Sequence, residues 1–422
     1  MHTLSQEWGQ CQMTGKRLKT HFLVVGSSSR KSSRLHLAVA LICKRTINIE
    51  KDPSTEFHAW SMIMETSTHL TIASLFTILI ALVTPLSAAN AEATDRSIVR
   101  QMRTHEPVDI TFAGSVAYLS SGHRGVLVYD LNEPWPLTPK GTWMPETGLV
   151  QSVTLDGTRA FASVTGQCRG SGDGLVILDI SNPWAPLRLA AFNPQLIDPW
   201  DDPEGCGIWS LPAYQSVVVG NWVYLATLGY GVYGLEVRDV KTTPDLRFHL
   251  DDIGSVWGLA YDGGFLYVAC SSGLFVYDVR NPRNPVLAYQ HKTLGAAISL
   301  VLDNKRLYLV DDGYGLLIFD RTSARRPVLL GTAPDTGLSA YNIAARDGFV
   351  YLADFLQGFL IIDARTPEWP RVVGSLTDIQ PWDLVLAGNR SYVAASDHEL
   401  VSVDISDPLM PKIIAQSRRQ RP

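Results

Sequence analysis

The stretch Gly273–Pro285 reads GLFVYDVRNPRNP. Upstream, Gly174–Pro186 reads GLVILDISNPWAP, and near the end Glu399–Pro411 reads ELVSVDISDPLMP. The Asp of this phrase recurs at Asp130, Asp179, Asp239, Asp278, Asp320, Asp363 and Asp404, in steps of 49, 60, 39, 42, 43 and 41 residues. Five places before it stands Gly125, Gly174, Gly234, Gly273, Gly315 or Gly358, with Glu399 in the last copy. Pro follows four places after it at Pro134, Pro183, Pro282, Pro367 and Pro408, and seven places after it at Pro186, Pro285, Pro327, Pro370 and Pro411.

Each residue type has a physical task. Gly opens a strand at a tight turn, where a positive φ carries no Cβ clash. The apolar run after it is long enough for one buried strand. Asp, and the Asn or Asp that follows, bond nearby backbone amides in a turn. Each Pro fixes its own φ and keeps its predecessor extended, so no helix forms there. A second short apolar run, such as VLAY or KIIA, makes the next strand. Upstream of each Gly an aromatic residue recurs, at Tyr118, Phe161, Tyr224, Tyr267, Tyr308, Tyr351 and Tyr392. Ten places before it lie Val108, Gln151, Tyr214, Trp257, Ile298, Tyr341 and Trp382, with hairpin signals such as DGT and DGG in between. Each unit therefore reads as four strands, A to D. Seven such units at a spacing near 40 predict an all-β, seven-bladed β-propeller of four-stranded antiparallel blades. The blades are expected at about 106–145, 146–195, 208–253, 254–294, 295–337, 338–379 and 380–417.

The phrase G-L-x-x-x-D-[IV]-S-[ND]-P-x-x-P resembles the LVIVD repeat of bacterial and archaeal surface propellers, and the resemblance runs from about Glu106 to Ser417. It implies an exported or surface propeller with no general catalytic motif, so function must be argued from the site.

Ahead of the repeats, residues 70–84 form the apolar run LTIASLFTILIALVT, followed by Ala89-Asn90-Ala91, a small-x-small cleavage pattern. This is the layout of a secretory signal, and the run is short for a membrane span. Residues 64–91 are therefore expected to be a signal peptide or membrane anchor, residues 1–63 an extension ahead of a start at Met62 or Met64, and 92–422 the exported propeller. The expected location is extracytoplasmic, with membrane contact only through an uncleaved N-terminal segment. The net charge of −5 comes from scattered residues, with no basic stripe for nucleic acid. A monomer is expected.

Function is sought where the repeat breaks. From the strand B aromatic to the Asp, most blades take 11 or 12 residues, whereas blade two takes 18 and blade three 15; the step from Asp179 to Tyr224 takes 45. These three enlargements, the B–C loops of blades two and three and the D–A link between them, open on one face of a propeller. That loop-rich face at blades two and three is the expected binding face. Its longest insertion holds Asp198, Trp200, Asp201, Asp202, Glu204 and Trp209. Carboxylates beside aromatics suit a sugar, a basic peptide or Ca²⁺, although EF-hand spacing is missing. Trp257, Tyr341 and Trp382, at the start of strand A, belong to the same candidate face.

Nine places before each aromatic stand Asp109, Ser152, Gln215, Gly258, Ser299, Asn342 and Asp383, a ring of small or polar groups. Ring closure makes blades one and seven neighbours, so Asp109 and Asp383 come close. With Asn342 they form a candidate metal set; the competing reading is that each carboxylate caps a backbone amide. Asp311, Asp312 and Asp354 read as scaffold. Cys168 and Cys206, both in insertions and flanked by glycine, are expected to form a disulfide in an oxidising compartment. Cys270 reads as a small buried apolar residue.

No H-E-x-x-H, G-x-S-x-G or paired C-x-x-C motif is present. The reading is a binding module for a protein or carbohydrate ligand, with no required cofactor. The alternative is a propeller hydrolase or lactonase-like enzyme with a metal at the channel mouth.

Overall fold

The computed structural model describes residues 8–13, 16–21, 108–166, 174–193, 213–334, 336–396 and 398–417. The chain divides into two units, Met1–Leu82 and Val83–Pro422. In the first, Trp8–Met13 pairs antiparallel with Lys16–His21. The signal or anchor segment lies outside the described residues.

In the second unit, seven four-stranded antiparallel sheets follow one another along the chain. Blade four shows the pattern. Strand A is Val256–Asp262, B is Phe265–Cys270, C is Gly273–Asp278 and D is Val286–Lys292. B is buried throughout and C along all but its last residue, whereas D is half exposed. The seven-bladed propeller expected from the repeat is therefore present.

A blade alone leaves both sheet faces wet. The core clusters show the solution, because each joins neighbouring blades. Tyr224, Ala226 and Val232 of blade three pack with Leu266, Val268 and Cys270 of blade four. Phe161, Leu175 and Ile177 of blade two pack with Val223, Leu225 and Leu235 of blade three. The recurring strand B aromatics Phe161, Tyr224, Tyr267, Tyr308 and Tyr351 are among the largest fully buried side chains. Each such burial is worth about 1.5–3 kcal/mol relative to exposure.

The Asp of the phrase ends strand C and builds the turn after it. Its Oδ1 accepts from the backbone N–H two residues on, with Ser181 N at 2.8 Å from Asp179, Thr322 N at 2.7 Å from Asp320 and Ser406 N at 2.9 Å from Asp404. Losing one such bond at an exposed turn costs about 1 kcal/mol. Asp404→Ala is expected to lower stability by that amount without disturbing the other blades, which chemical denaturation of the purified protein checks.

Blade three corrects the sequence reading. Its strand C is Gly231–Glu236, so Glu236 rather than Asp239 ends the strand. Trp222 pairs with Glu236 as Arg306 pairs with Asp320. Asp239 Oδ1 accepts from Lys241 N at 3.0 Å, just as Asn281 Oδ1 accepts from Arg283 N at 3.3 Å. Asp239 is thus the second turn residue, displaced three places in the alignment. Gly231, at φ 69°, opens the strand; Gly234 lies inside it, where a Cβ would meet the Phe248 ring at 1.9 Å. With the register corrected, the B–C loop of blade three is of ordinary length. Only the two insertions flanking blade two remain enlarged.

Among the described residues no blade borrows a strand from the other end of the chain, and blade seven meets blade one. Ile110, Leu119 and Tyr129 pack with Tyr392, Ala394 and Leu400. Glu399, standing where other copies have Gly, sits at φ 65° and is buried. It forms an ion pair with Arg124 from the B–C loop of blade one.

Candidate functional site

Strand A is where the propeller departs from plain pairing. In blades two to seven, its ladder with strand B skips one residue, between Val150 and Ser152, Ala213 and Gln215, Val256 and Gly258, Ala297 and Ser299, Ala340 and Asn342, and Pro381 and Asp383. The skipped residues are Gln151, Tyr214, Trp257, Ile298, Tyr341 and Trp382. A β-bulge sets two residues against one and re-aims a side chain. Here, in blades two, three and six, the skipped residue and its successor both line one cavity at the mouth of the axial channel.

The bulky skipped residues plug that channel. Trp257, Ile298 and Trp382 form a buried cluster with Tyr214, Tyr341 and Phe355 packed on it. Tyr341 stacks on Trp382 with ring centroids 4.4 Å apart. Blades one and two carry Val108 and Gln151 at this position, and both line a cavity of about 40 Å³ together with Asp109, Ser152, Gln215, Ser299 and Asn342 of the polar ring. That is room for about three waters, or a group of three non-hydrogen atoms.

The polar ring bolts blades together. Asp109 Oδ2 accepts from Val153 N of blade two at 3.0 Å. Gln215 Oε1 accepts from Leu259 N of blade four at 2.7 Å. Asp383 Oδ2 accepts from Ile110 N of blade one at 2.7 Å, while its Oδ1 accepts from Leu384 N at 2.7 Å. The two carboxyl groups also bond each other. Burial pushes Asp109 up to about 6. Burial, then the charge of Asp109, raises Asp383 well above the usual carboxylate range. At neutral pH the pair therefore holds a proton between its members. Asp109 keeps some contact with the cavity, although protein surrounds it, whereas Asp383 is almost wholly enclosed.

Asn342, the third member of the candidate metal set, lines the same cavity, with its Oδ1 bonded to Ile343 N. Among the described residues no group of three or more His, Cys, Asp or Glu side chains is arranged to hold a metal ion. Trp257 and Trp382 are each 2% exposed, so both lie within the plug. Gln151 and Tyr214, which the sequence marks only as repeat positions, line the cavity too. Asp198, Trp200, Asp201, Asp202, Glu204, Trp209, Cys168 and Cys206 lie outside the described residues. Asp311 and Asp354 close their B–C turns, accepting from Gly313 N and Tyr314 N, and from Leu356 N and Gln357 N. Cys270 is a buried free thiol, pushed up to about 11 by burial.

Seven four-stranded blades around a plugged axis, with a polar cavity at one end, define a β-propeller. The family model described as the LVIVD repeat matches residues 170–190, 253–293, 337–378 and 380–416, and the chain is an LVIVD-repeat protein. Sqt1 of Saccharomyces cerevisiae is similar in fold, with a TM-score of 0.52 at 9% identity over 75% of this chain and 86% of that one. BamB from Moraxella catarrhalis aligns at a TM-score of 0.47 and 13% identity, over 70% of this chain and 83% of that one. PorZ, a surface component of the type-IX secretion system of Porphyromonas gingivalis, aligns at 0.49 and 13% identity, over 75% of this chain and 39% of that one. Identities this low speak to fold alone. No curated protein matches the chain.

Proposed function

We propose that this chain is an exported propeller that binds a protein or glycan through the face where the B–C loops and D–A links open. The observation that carries the reading is that the channel-mouth cavity and the described roots of both enlarged segments belong to this one face. The cavity lies at the start of strand A. The segment after Thr165 and the segment before Ala213 are rooted side by side, since Thr165 Oγ1 donates to Ala213 O at 3.0 Å. That bond also supports a Cys168–Cys206 disulfide, because the two cysteines stand three places after one root and seven places before the other. The bridge would hold Trp200, Asp201 and Trp209 in one shape and so reduce the entropy lost on binding. Export is supported by the apolar run at 70–84 and the Ala89-Asn90-Ala91 pattern ahead of the repeats.

Glycan arrays and cross-linking to surface proteins of the source cell test the reading. A ligand is expected whose binding falls at least tenfold in a Trp200→Ala/Trp209→Ala variant. A ligand held equally well by that variant, or cross-links confined to the C–D turn face, would reject the assignment. Peptide mass mapping without reduction is expected to find Cys168 joined to Cys206 and Cys270 free; alkylation of all three in the unfolded, unreduced exported protein would remove the bridge.

A further inference from the structure

We propose that the channel mouth binds a carboxylate head group, taken up together with one proton. The inference rests on the reading of this face as the working one and names the chemistry its cavity accepts.

The argument begins with groups that have no partner. Ser152 Oγ and Trp257 Nε1 are buried, line the cavity and bond nothing. An indole N–H is a donor only, so the group that satisfies it must be an acceptor. A buried donor without an acceptor costs about 1–3 kcal/mol, a cost that a suitable ligand removes. The side-chain amides agree. Gln215 spends its oxygen on Leu259 N and Asn342 spends its own on Ile343 N. What each has left is an NH₂, again a donor. A cavity furnished this way disfavours a cation, whose ligands must be oxygen lone pairs. It suits an anion or a carbonyl.

Size and protons narrow the choice. About 40 Å³ admits about three non-hydrogen atoms, the O–C–O of a carboxylate. Such a group brings a negative charge beside Asp109 and Asp383, and two neighbouring negative charges in a dry site repel strongly. The repulsion vanishes when the pair takes up a proton from solvent, leaving both carboxyls neutral. Asp109 is within reach of this change, since burial already pushes it up to about 6. The groups facing it are Ser120, the Val153 amide and Asp383. Among the described residues, Tyr214 and Tyr341 are the only other titratable side chains lining the cavity, and burial raises both out of the neutral range. No lysine, arginine or histidine among the described residues lines it. The proton therefore goes to the acid pair.

Acetate serves as the probe, with acetamide, methylammonium and Ca²⁺ as comparators, all added to the full chain. The indole N–H resonance of Trp257, assigned by its loss in Trp257→Phe among the 11 tryptophans, reports occupancy. Acetate is expected to shift it saturably. Its affinity should rise by up to about tenfold for each pH unit lowered from 8 to 6, and level off below. Calorimetry in buffers of different ionisation enthalpy should show net proton uptake above pH 6. Ser152→Ala, a change too small to disturb the fold, should weaken acetate about fivefold or more. Equal binding of acetamide, binding of methylammonium or Ca²⁺ in place of acetate, or indifference to Ser152→Ala overturns the proposal. If acetate behaves as expected while no partner is held by the loop face, the reading of the face fails and this inference stands. The converse outcome sinks the inference alone.

Discussion

Arg124→Ala lowers the unfolding free energy by about 3 kcal/mol, and adding Glu399→Gly returns most of it. The asymmetry follows from where the two partners sit. The Glu399 side chain is 2% exposed, whereas that of Arg124 is 29% exposed. Removing Arg124 strands a carboxylate in the seam between blades seven and one, next to the Tyr129 hydroxyl, whose own ionisation burial and Glu399 push upward. A stranded buried charge is the expensive case, and the partial exposure of Arg124 keeps the cost near the lower end of that range. Removing Glu399 instead leaves a cation that water can reach. Glycine also suits the backbone there, since the residue sits at φ 65°. The double variant restores the glycine found in the six other copies, counting Gly231 for blade three. It is expected within about 1 kcal/mol of the parent, giving a coupling near 2 kcal/mol in a double-mutant cycle by denaturant titration. A double variant no more stable than Arg124→Ala would show that the pair does not hold the seam.

That seam was half legible in the sequence. The exception at Glu399 stood out against glycines at the same place, but its partner could not be read, because Arg124 lies 275 residues away and becomes a neighbour only on closure. Blade three shows a different limit. Glu236 and Asp239 are both acidic and both serve the turn, and an extra residue before Pro244 shifts the prolines. Aligning on Asp is then natural and wrong by three places, and it created an enlarged loop that does not exist. Counting from the aromatic would have recovered it, since the distance from Tyr224 to Glu236 equals that from Tyr308 to Asp320.

The channel mouth illustrates the limit of periodicity. Adjacent strand residues ordinarily point to opposite sides. Gln151 and Ser152, or Tyr341 and Asn342, would thus be assigned one to the channel and one away from it. The bulge brings both to the cavity, and no glycine or proline at the skipped positions announces it. The polar ring was visible as a column of residues nine places before each aromatic. Its role as a blade-to-blade bolt was not, because each bond joins a side chain to the backbone of the next blade. Asp109, Gln215 and Asp383 reach across, whereas Asn342, as long as an Asp, bonds within its own blade.

Asp109→Asn raises stability at pH 7 by up to about 3 kcal/mol and flattens its dependence on pH. Asp109 has an ordinary value of 3.8 and stands at about 6 in the folded ring. The folded state thus holds the proton more tightly than the unfolded chain. Stability from this group is fully present below about pH 4 and falls as pH rises through 6, where the ionised form must be kept in a buried place. At about 1.4 kcal/mol per pH unit the loss amounts to about 3 kcal/mol. Asparagine keeps an oxygen for Val153 N and offers N–H to Asp383, so it makes the bond that the acid pair makes only with a proton. Asp312, which burial also raises, and His291, which burial lowers, are common to parent and variant, so the channel pair is read from the difference between the two proteins. Asp278 and Asp363 are held down to about 2, chiefly by Arg280 and Arg365, so their contribution is lost only as pH falls below about 4. The difference between parent and Asp109→Asn in denaturant titrations from about pH 4.5 to 7 isolates the channel pair. A parent protein whose stability is level across that window, or an Asp109→Asn variant less stable than the parent at pH 7, would show that the two carboxyls do not share a proton. The same variant should also lose the steep pH dependence of acetate binding, since the group that takes up the proton above pH 6 is gone.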